Sequence, residues 1–279
     1  MAEPQPYVAY WSIYTDLRGR RQFKTLYWDR LKAIIGRPAK LSGMEREDYN
    51  PGELRCHVYS YLAAETAADC AVHVLKCALK LATPWTVVFE QGEEGPEFLW
   101  NRDYNVVAAE HMPLPRLTTV MVTIQPGSGG RYRSIFRKGG RPLAQPYFVQ
   151  SGPARDYEVL WTELIHTTRA DKIEELYWPH LRQRLGEIAI DLIGTARHPD
   201  FDGETVLTAR QRLPARRETD AVLHCLHSMP RGYLSADFGP DGRIAVLRGS
   251  VADRSTNVTS RSFELRLIQL LIDDRRNLA

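Results

Sequence analysis

The chain repeats itself at a constant offset of 150 residues. With residues 7–36 laid over 157–186 without a gap, Tyr7 meets Tyr157, Trp11 meets Trp161, Leu26-Tyr27-Trp28 meets Leu176-Tyr177-Trp178, Leu31 meets Leu181 and Gly36 meets Gly186. That is seven identities in thirty positions, against roughly two for average composition. Every matched residue is apolar, aromatic or glycine. The charged positions differ: Arg20-Arg21 becomes Ala170-Asp171, and Asp29-Arg30 becomes Pro179-His180. Keeping the apolar residues while the polar face varies is a packing signature. Trp11, Tyr27 and Trp28, with Trp161, Tyr177 and Trp178, are therefore read as structural anchors of two copies of one unit.

The local pattern gives each unit a shape. Tyr7 to Thr15 is aromatic and apolar with few breakers, which predicts a strand. Phe23, Leu26, Tyr27, Leu31 and Ile34 recur at helical spacing over residues 21–35, and Gly36 and Pro38 end that helix. In the second copy a strand is expected at 158–166. A helix over 171–192 carries Ile173, Leu176, Tyr177, Leu181, Leu185 and Ile188. Further strands are predicted at 53–62 and 204–212, and helices at 65–82 and 217–229. Hairpins follow, turning at Gln91–Gly95 and Gly239–Gly242. Residues 116–125 read as one more strand, and Phe263, Leu267 and Leu270 predict a closing helix over 262–272. The fold class is α+β: a tandem duplication of a ferredoxin-like unit (strand-helix-strand-helix-hairpin), with helices packed on a mostly antiparallel sheet. The expected domains are a first repeat over 1–125, a basic Gly/Pro-rich hairpin and linker over 126–155, and a second repeat with a C-terminal helix over 156–279.

Composition narrows the class. Hydrophobic residues make up 43% and charged residues 25% of 279, which is globular. A net charge of +3 is too small to imply nucleic acid by itself. No apolar run approaches the ~18 residues of a membrane helix. Met1 to Pro6 lacks the basic start and apolar run of a signal peptide, so the expected compartment is the cytoplasm. Cys56, Cys70, Cys77 and Cys225 form no CxxC pair and are read as free buried thiols.

Candidate chemistry is sparse. Cys70, His73 and Cys77 share one helix, but the cysteines fall inside its apolar stripe, so packing is the reading over zinc. His224, Cys225 and His227 sit on the matching helix of copy two without a supporting carboxylate. Asp200, Asp202 and Glu204 alternate in the turn after His198. This cluster has no counterpart in the first copy by sequence and could approach a cation, although Asp-Gly is an ordinary turn pair. Arg131, Arg133, Arg137, Lys138 and Arg141 interleave with Tyr132 and Phe136 in a loop that suits RNA or an acidic protein partner. There is no phosphate loop, dinucleotide fingerprint, nucleophile elbow or metalloprotease motif. No metal or cofactor is expected.

Three resemblances follow from these residues. Tyr7-Val8-Ala9-Tyr10-Trp11, with the later strand–helix–Trp85 arrangement, resembles immunity proteins that protect bacteria from polymorphic or type VI secreted nuclease toxins. That resemblance covers about a hundred residues of copy one and implies a cytoplasmic, non-enzymatic protein that binds and neutralises a cognate toxin. Its contacts would be the loop at 131–141 and the acidic residues Asp200, Asp202 and Glu204. The Leu-Tyr-Trp-x-x-Leu pattern at Leu26 and Leu176 is similar to the helix of dimeric α+β-barrel enzymes and small-ligand binders, here fused in one chain. Tandem ferredoxin-like units with a glycine-rich basic loop also resemble CRISPR-associated RNA-processing proteins, which would make the chain an RNA binder. The first resemblance sets the leading expectation.

Overall fold

The computed structural model describes residues 3–36, 38–48, 50–82, 85–88, 97–101, 114, 116–127, 135–138, 141–150, 156–186, 189–213, 217–229, 232–238, 244–251, 258–260 and 263–274. The chain divides into two compact units, Met1–Ser151 and Gly152–Ala279. It mixes helix and strand, and its large sheets are antiparallel.

The first unit runs β1 (Gln5–Thr15), a helical stretch, β2 (Ala39–Arg46), β3 (Leu54–Ala64), a second helix, then β4 (Trp85–Val88), β5 (Glu97–Asn101) and β6 (Leu117–Pro126). The first helical stretch comprises α1 (Arg20–Phe23), a π turn (Lys24–Trp28) and α2 (Asp29–Ile35); the second is α3 (Ala67–Leu81). The strand order is β4-β5-β6-β1-β3-β2. Because β3 is antiparallel to both β1 and β2, the first crossover is a split βαβ. The second crossover departs from the ferredoxin-like order. After α3 the chain goes to the far strand of a meander, and β6 takes the place beside β1.

The second unit holds β10 (Tyr157–Thr167), a 3₁₀ turn (Ala170–Lys172), a π turn (Ile173–Tyr177), α4 (Trp178–Arg184), β11 (Ile190–Arg197), β12 (Glu204–Arg212), α5 (Glu218–Ser228), β13 (Gly232–Phe238), β14 (Ile244–Val251), β15 (Val258–Ser260) and β16 (Phe263–Asp274). Its order, β13-β14-β16-β10-β12-β11, matches the first unit strand for strand. The irregularities match as well. β2 shifts register against β3 between Leu41 and Gly43, and β11 against β12 between Leu192 and Gly194. β1 and β10 shift against β6 and β16 at Tyr14/Thr15 and Leu164/Ile165.

Trp11, Trp161, Tyr27, Tyr177, Leu31 and Leu181 are all buried, and burying such side chains contributes roughly 1.5–3 kcal/mol each. Trp28 and Trp178 are half-buried. The residues facing inward are Phe23, Tyr27, Leu31 and Ile35 in the first unit, and Ile173, Tyr177, Leu181 and Leu185 in the second. Their spacing is four throughout. A regular α-helix has 3.6 residues per turn and would rotate such a stripe by roughly 40° per step. The i→i+5 turn absorbs the excess, so the stripe stays on the sheet. Leu26 and Leu176, expected inside, are 39% and 38% exposed for the same reason.

Two further expectations need correction, and two strands must be added. Of the segment expected as a helix over 262–272, residues 263–272 lie in β16. The helix predicted to reach residue 192 stops at Gly186, whose φ of 83° favours glycine, and Ile190–Leu192 belong to β11. Gly36 has the same φ of 83°. Strands β2 and β11 were absent from the sequence reading. The turns expected at Gln91–Gly95 and Gly239–Gly242, and Ile188, lie outside the described residues.

Side chains and capping fix the other helix. Thr66 accepts from the Asp69 amide while the Asp69 carboxylate accepts from the Thr66 amide, a reciprocal capping box that starts α3. Cys70, Val74, Cys77, Ala78 and Leu81 are among the residues it buries.

Candidate functional site

Alternation along β1 places Ala9, Trp11 and Ile13 on the buried face of the first sheet and Val8, Tyr10, Ser12 and Tyr14 on the other, here termed outer, face. Register adds Arg55, His57, Tyr59 and Tyr61 from β3 to the outer face, and Lys40 and Glu45 from β2. One end of this face is covered. Phe136 packs with Val8, Tyr59 and Tyr61, with its ring 4.9 Å from that of Tyr61 and nearly parallel to it. The Lys40 ammonium donates to the Ile135 carbonyl at 3.1 Å.

The other end is a half-exposed network. The Tyr10 hydroxyl is hydrogen-bonded to His57 Nδ1, and His57 Nε2 meets Glu45 Oε1 at 2.8 Å. The Tyr10 ring stacks on that of Tyr59, centroids 5.0 Å apart. Arg55 lies 3.8 Å from Glu45 and 3.6 Å from Glu47, donates to Ser12 Oγ at 3.4 Å, and sits 5.3 Å over the Tyr14 ring. Burial opposes the charge of Arg55, but Tyr14, Tyr10 and Glu47 outweigh it and raise its pKa above the usual arginine value.

The second unit supplies an internal comparison. The registers align Tyr10 with Leu160, Ser12 with Thr162, Tyr14 with Leu164, Arg55 with Val206, His57 with Thr208 and Glu45 with Ala196. The same backbone therefore stands without any member of the network. Its side chains are not demanded by the fold.

Sequence-predicted residues are scattered. Phe136, expected at a partner surface, is 4% exposed and belongs to the core of the first unit, because its ring fills the space beside Tyr61. Arg137 and Lys138 pair with Arg141 and Pro142 in a short hairpin of strands β7 and β8. Lys138 and Arg141 are exposed, Arg137 half-buried. Arg131, Tyr132 and Arg133 lie outside the described residues. The hairpin is followed by β9 (Tyr147–Phe148), which pairs parallel to the end of β3.

Asp200 and Asp202 are exposed in the β11–β12 turn, whereas Glu204 is half-buried and 3.4 Å from His166 Nδ1. They do not converge, and the described residues contain no group of three or more potential metal ligands. The turn is also not special to the second unit. The His198 amide donates to the Glu204 carbonyl at 2.9 Å, and the Glu204 amide to Phe201 at 3.2 Å. Glu47, Glu53 and Asn50 make the same two bonds at 3.3 Å and 2.8 Å.

The histidine–cysteine helices are packing sites. His73 lies 3.6 Å from Cys77 Sγ and stacks on Tyr147. Burial, aided by Lys76 and Lys80, pushes its pKa down to about 4. Burial pushes the Cys77 thiol up to about 11 and Cys56 up to about 12, and raises Cys70 and Cys225 as well. His224 Nε2 lies 3.3 Å from Gln211 Nε2, which fits an imidazole nitrogen accepting from the amide. Its pKa is lowered by burial and then by His227.

The Tyr10–His57–Glu45–Arg55 network was missed because its members come from three strands. Only the strand registers bring them together, and β2 was unread. No described helix is long and apolar enough to cross a membrane. No family model, curated protein or solved structure matches the chain.

Proposed function

We propose that the chain is a non-enzymatic protein-binding protein of the bacterial immunity type, which neutralises a cognate toxin through the outer face of its first sheet. The observation that carries this reading is the replacement of Leu160, Leu164, Val206 and Thr208 in one unit by Tyr10, Tyr14, Arg55 and His57 in the other. Tyrosine and arginine dominate interface energies, since each joins a large apolar body to directional polar atoms. Stacking and ion pairs hold Tyr10 and Arg55 in place before a partner arrives, which lowers the ordering cost of association. The aromatic opening strand, Tyr7 to Trp11, adds the family resemblance. We further read the two units as a tandem duplication of one ancestral unit, a ferredoxin-like split βαβ core with a meander in place of its last strand. One copy then diverged on its outer face, while the other carries Leu160, Leu164 and Val206 in the places of Tyr10, Tyr14 and Arg55.

The test combines capture with toxicity. The full chain, tagged, is used to retrieve a stoichiometric partner from the source organism, and that partner is then expressed alone and together with the chain. Growth arrest by the partner, rescue by the wild-type chain and loss of rescue with Tyr14→Ala plus Arg55→Ala are expected. A partner that does not arrest growth, or full rescue by a folded double variant, overturns the proposal.

A further inference from the structure

The outer-face network has the connectivity of an activated nucleophile. His57 Nε2 reaches a carboxylate oxygen that can only accept, so the imidazole N–H is directed to Glu45. Nδ1 is then an acceptor, and the Tyr10 hydroxyl donates to it. A hydroxyl bonded to an imidazole that is itself oriented by a carboxylate is the arrangement by which enzymes activate weak nucleophiles. Transfer of the phenolic proton to Nδ1 leaves an imidazolium against Glu45. The phenolate would form on the same face as the Arg55 guanidinium, whose positive charge Tyr10 helps to favour. Each new charge thus finds an opposite one already in place.

Two features separate this from ordinary surface polarity. Tyr10, His57 and Glu45 come from different strands and meet only through the β1–β3–β2 registers. All three are replaced, by Leu160, Thr208 and Ala196, on matched backbone in the second unit, so packing does not require them. We propose that Tyr10 is a base-activated nucleophile that accepts an acyl group from an activated ester. An acyl group fits better than a phosphoryl group, because Glu45 and Glu47 both lie within 4 Å of Arg55 and would repel a dianion. In the step, the Tyr10 oxygen bonds to the ester carbonyl carbon and the ester's alcohol leaves as its anion. The phenolic proton passes to His57 Nδ1 and then to water. Glu45 is a positioning residue, acting through His57.

The probe is p-nitrophenyl acetate, with acetylation of Tyr10 and Tyr14 in the intact chain followed by peptide mass spectrometry. Tyr14 faces the same guanidinium and serves as the reference within each sample. Tyr10 is expected to react at least about tenfold faster than Tyr14 at neutral pH, in line with general-base assistance. His57→Gln should lower that ratio at least about fivefold and move the half-maximal rate to higher pH, and Glu45→Gln should act in the same direction. A wild-type ratio below about ten, or a His57→Gln ratio that falls less than about fivefold in a folded protein, overturns the assignment. If His57→Gln does not fold, the wild-type ratio alone decides. Partner binding is read from toxin rescue with Tyr14→Ala plus Arg55→Ala, and the acylation from the Tyr10/Tyr14 ratio in the isolated chain, so either reading can fail without the other.

Discussion

Trp11 and Trp161 occupy matching places in the two sheets, and each buried indole N–H reaches the same position on the neighbouring strand. That position is Ser60 in the first unit, at 3.1 Å, and Gln211 in the second, at 3.0 Å. The geometry is kept while the acceptor changes.

The two tryptophans are consequently not equivalent under substitution. Gln211 is pinned, because its amide nitrogen donates to the Leu185 carbonyl at 2.9 Å. Trp161→Phe strands its buried oxygen and should cost about 1–3 kcal/mol beyond the lost contact area. The Ser60 hydroxyl can rotate to another partner, so Trp11→Phe should cost less. Urea unfolding of the two variants gives the order directly.

Buried charge in the second unit gives a sharper test. Glu163 is fully buried, accepts from the Tyr177 hydroxyl at 2.7 Å and pairs with Arg184. The matching residues of the first unit are Ile13 and Ile34. Arg184→Ile leaves the carboxylate without its cation and should destabilise by about 3 kcal/mol. Adding Glu163→Ile should recover most of that, leaving about 1 kcal/mol for the Tyr177 hydroxyl. Denaturation midpoints of the single and double variants measure the recovery.

His73 predicts an acid-side loss of stability. Its folded pKa of about 4 lies below the unfolded value of 6.5, so the unfolded chain takes up the proton first as pH falls. Stability contributed by the neutral ring is complete above pH 6.5, declines from there to about pH 4, and levels off below. The loss amounts to about 3 kcal/mol at most. In His73→Gln the difference in unfolding free energy between pH 7 and pH 4 should shrink by that amount, read from urea titrations at both values.

All four thiols should be silent in the native protein. Cys56, Cys70, Cys77 and Cys225 are buried, and burial raises each pKa, so little thiolate exists at neutral pH. Ellman's reagent should titrate none of them until denaturant is added, and all of them afterwards.

The repeated anchors were legible because burial selects few residue types, and Trp, Tyr and Leu at matched spacing survive divergence. The C-terminal strand was not: Phe263, Leu267 and Leu270 were read as one helix face, and the strand that holds them also carries a bulge. Leu265 and Ile268 both face inward because the register against β10 shifts between Leu164 and Ile165, so Arg266 is the extra residue. Leu267 pairs with Leu164 and Leu270 with Trp161, positions on opposite faces of β10, so the spacing of three that suggested one helix face runs across both faces of a strand, and Ile268, Leu270 and Ile272 alternate as a strand should. β2 escaped for a related cause. It lies at the sheet edge and buries little, with Ala39, Leu41 and Gly43 only half-covered, so hydrophobic alternation is weak. The outer-face network was illegible for a different reason: Tyr10, Glu45 and His57 are far apart in sequence, and no local motif encodes a register.

The wide turn in each first helix gives its length one residue of slack. Excising one residue there, Thr25 in one unit or Glu174 in the other, would leave a uniform spiral in which Phe23 and Leu31, or Ile173 and Leu181, stand seven residues apart, about 20° short of two full turns. Both halves would then still lie on the strands. Related sequences should therefore tolerate the loss of one outward residue in this segment, while a change of two or more would turn one half away.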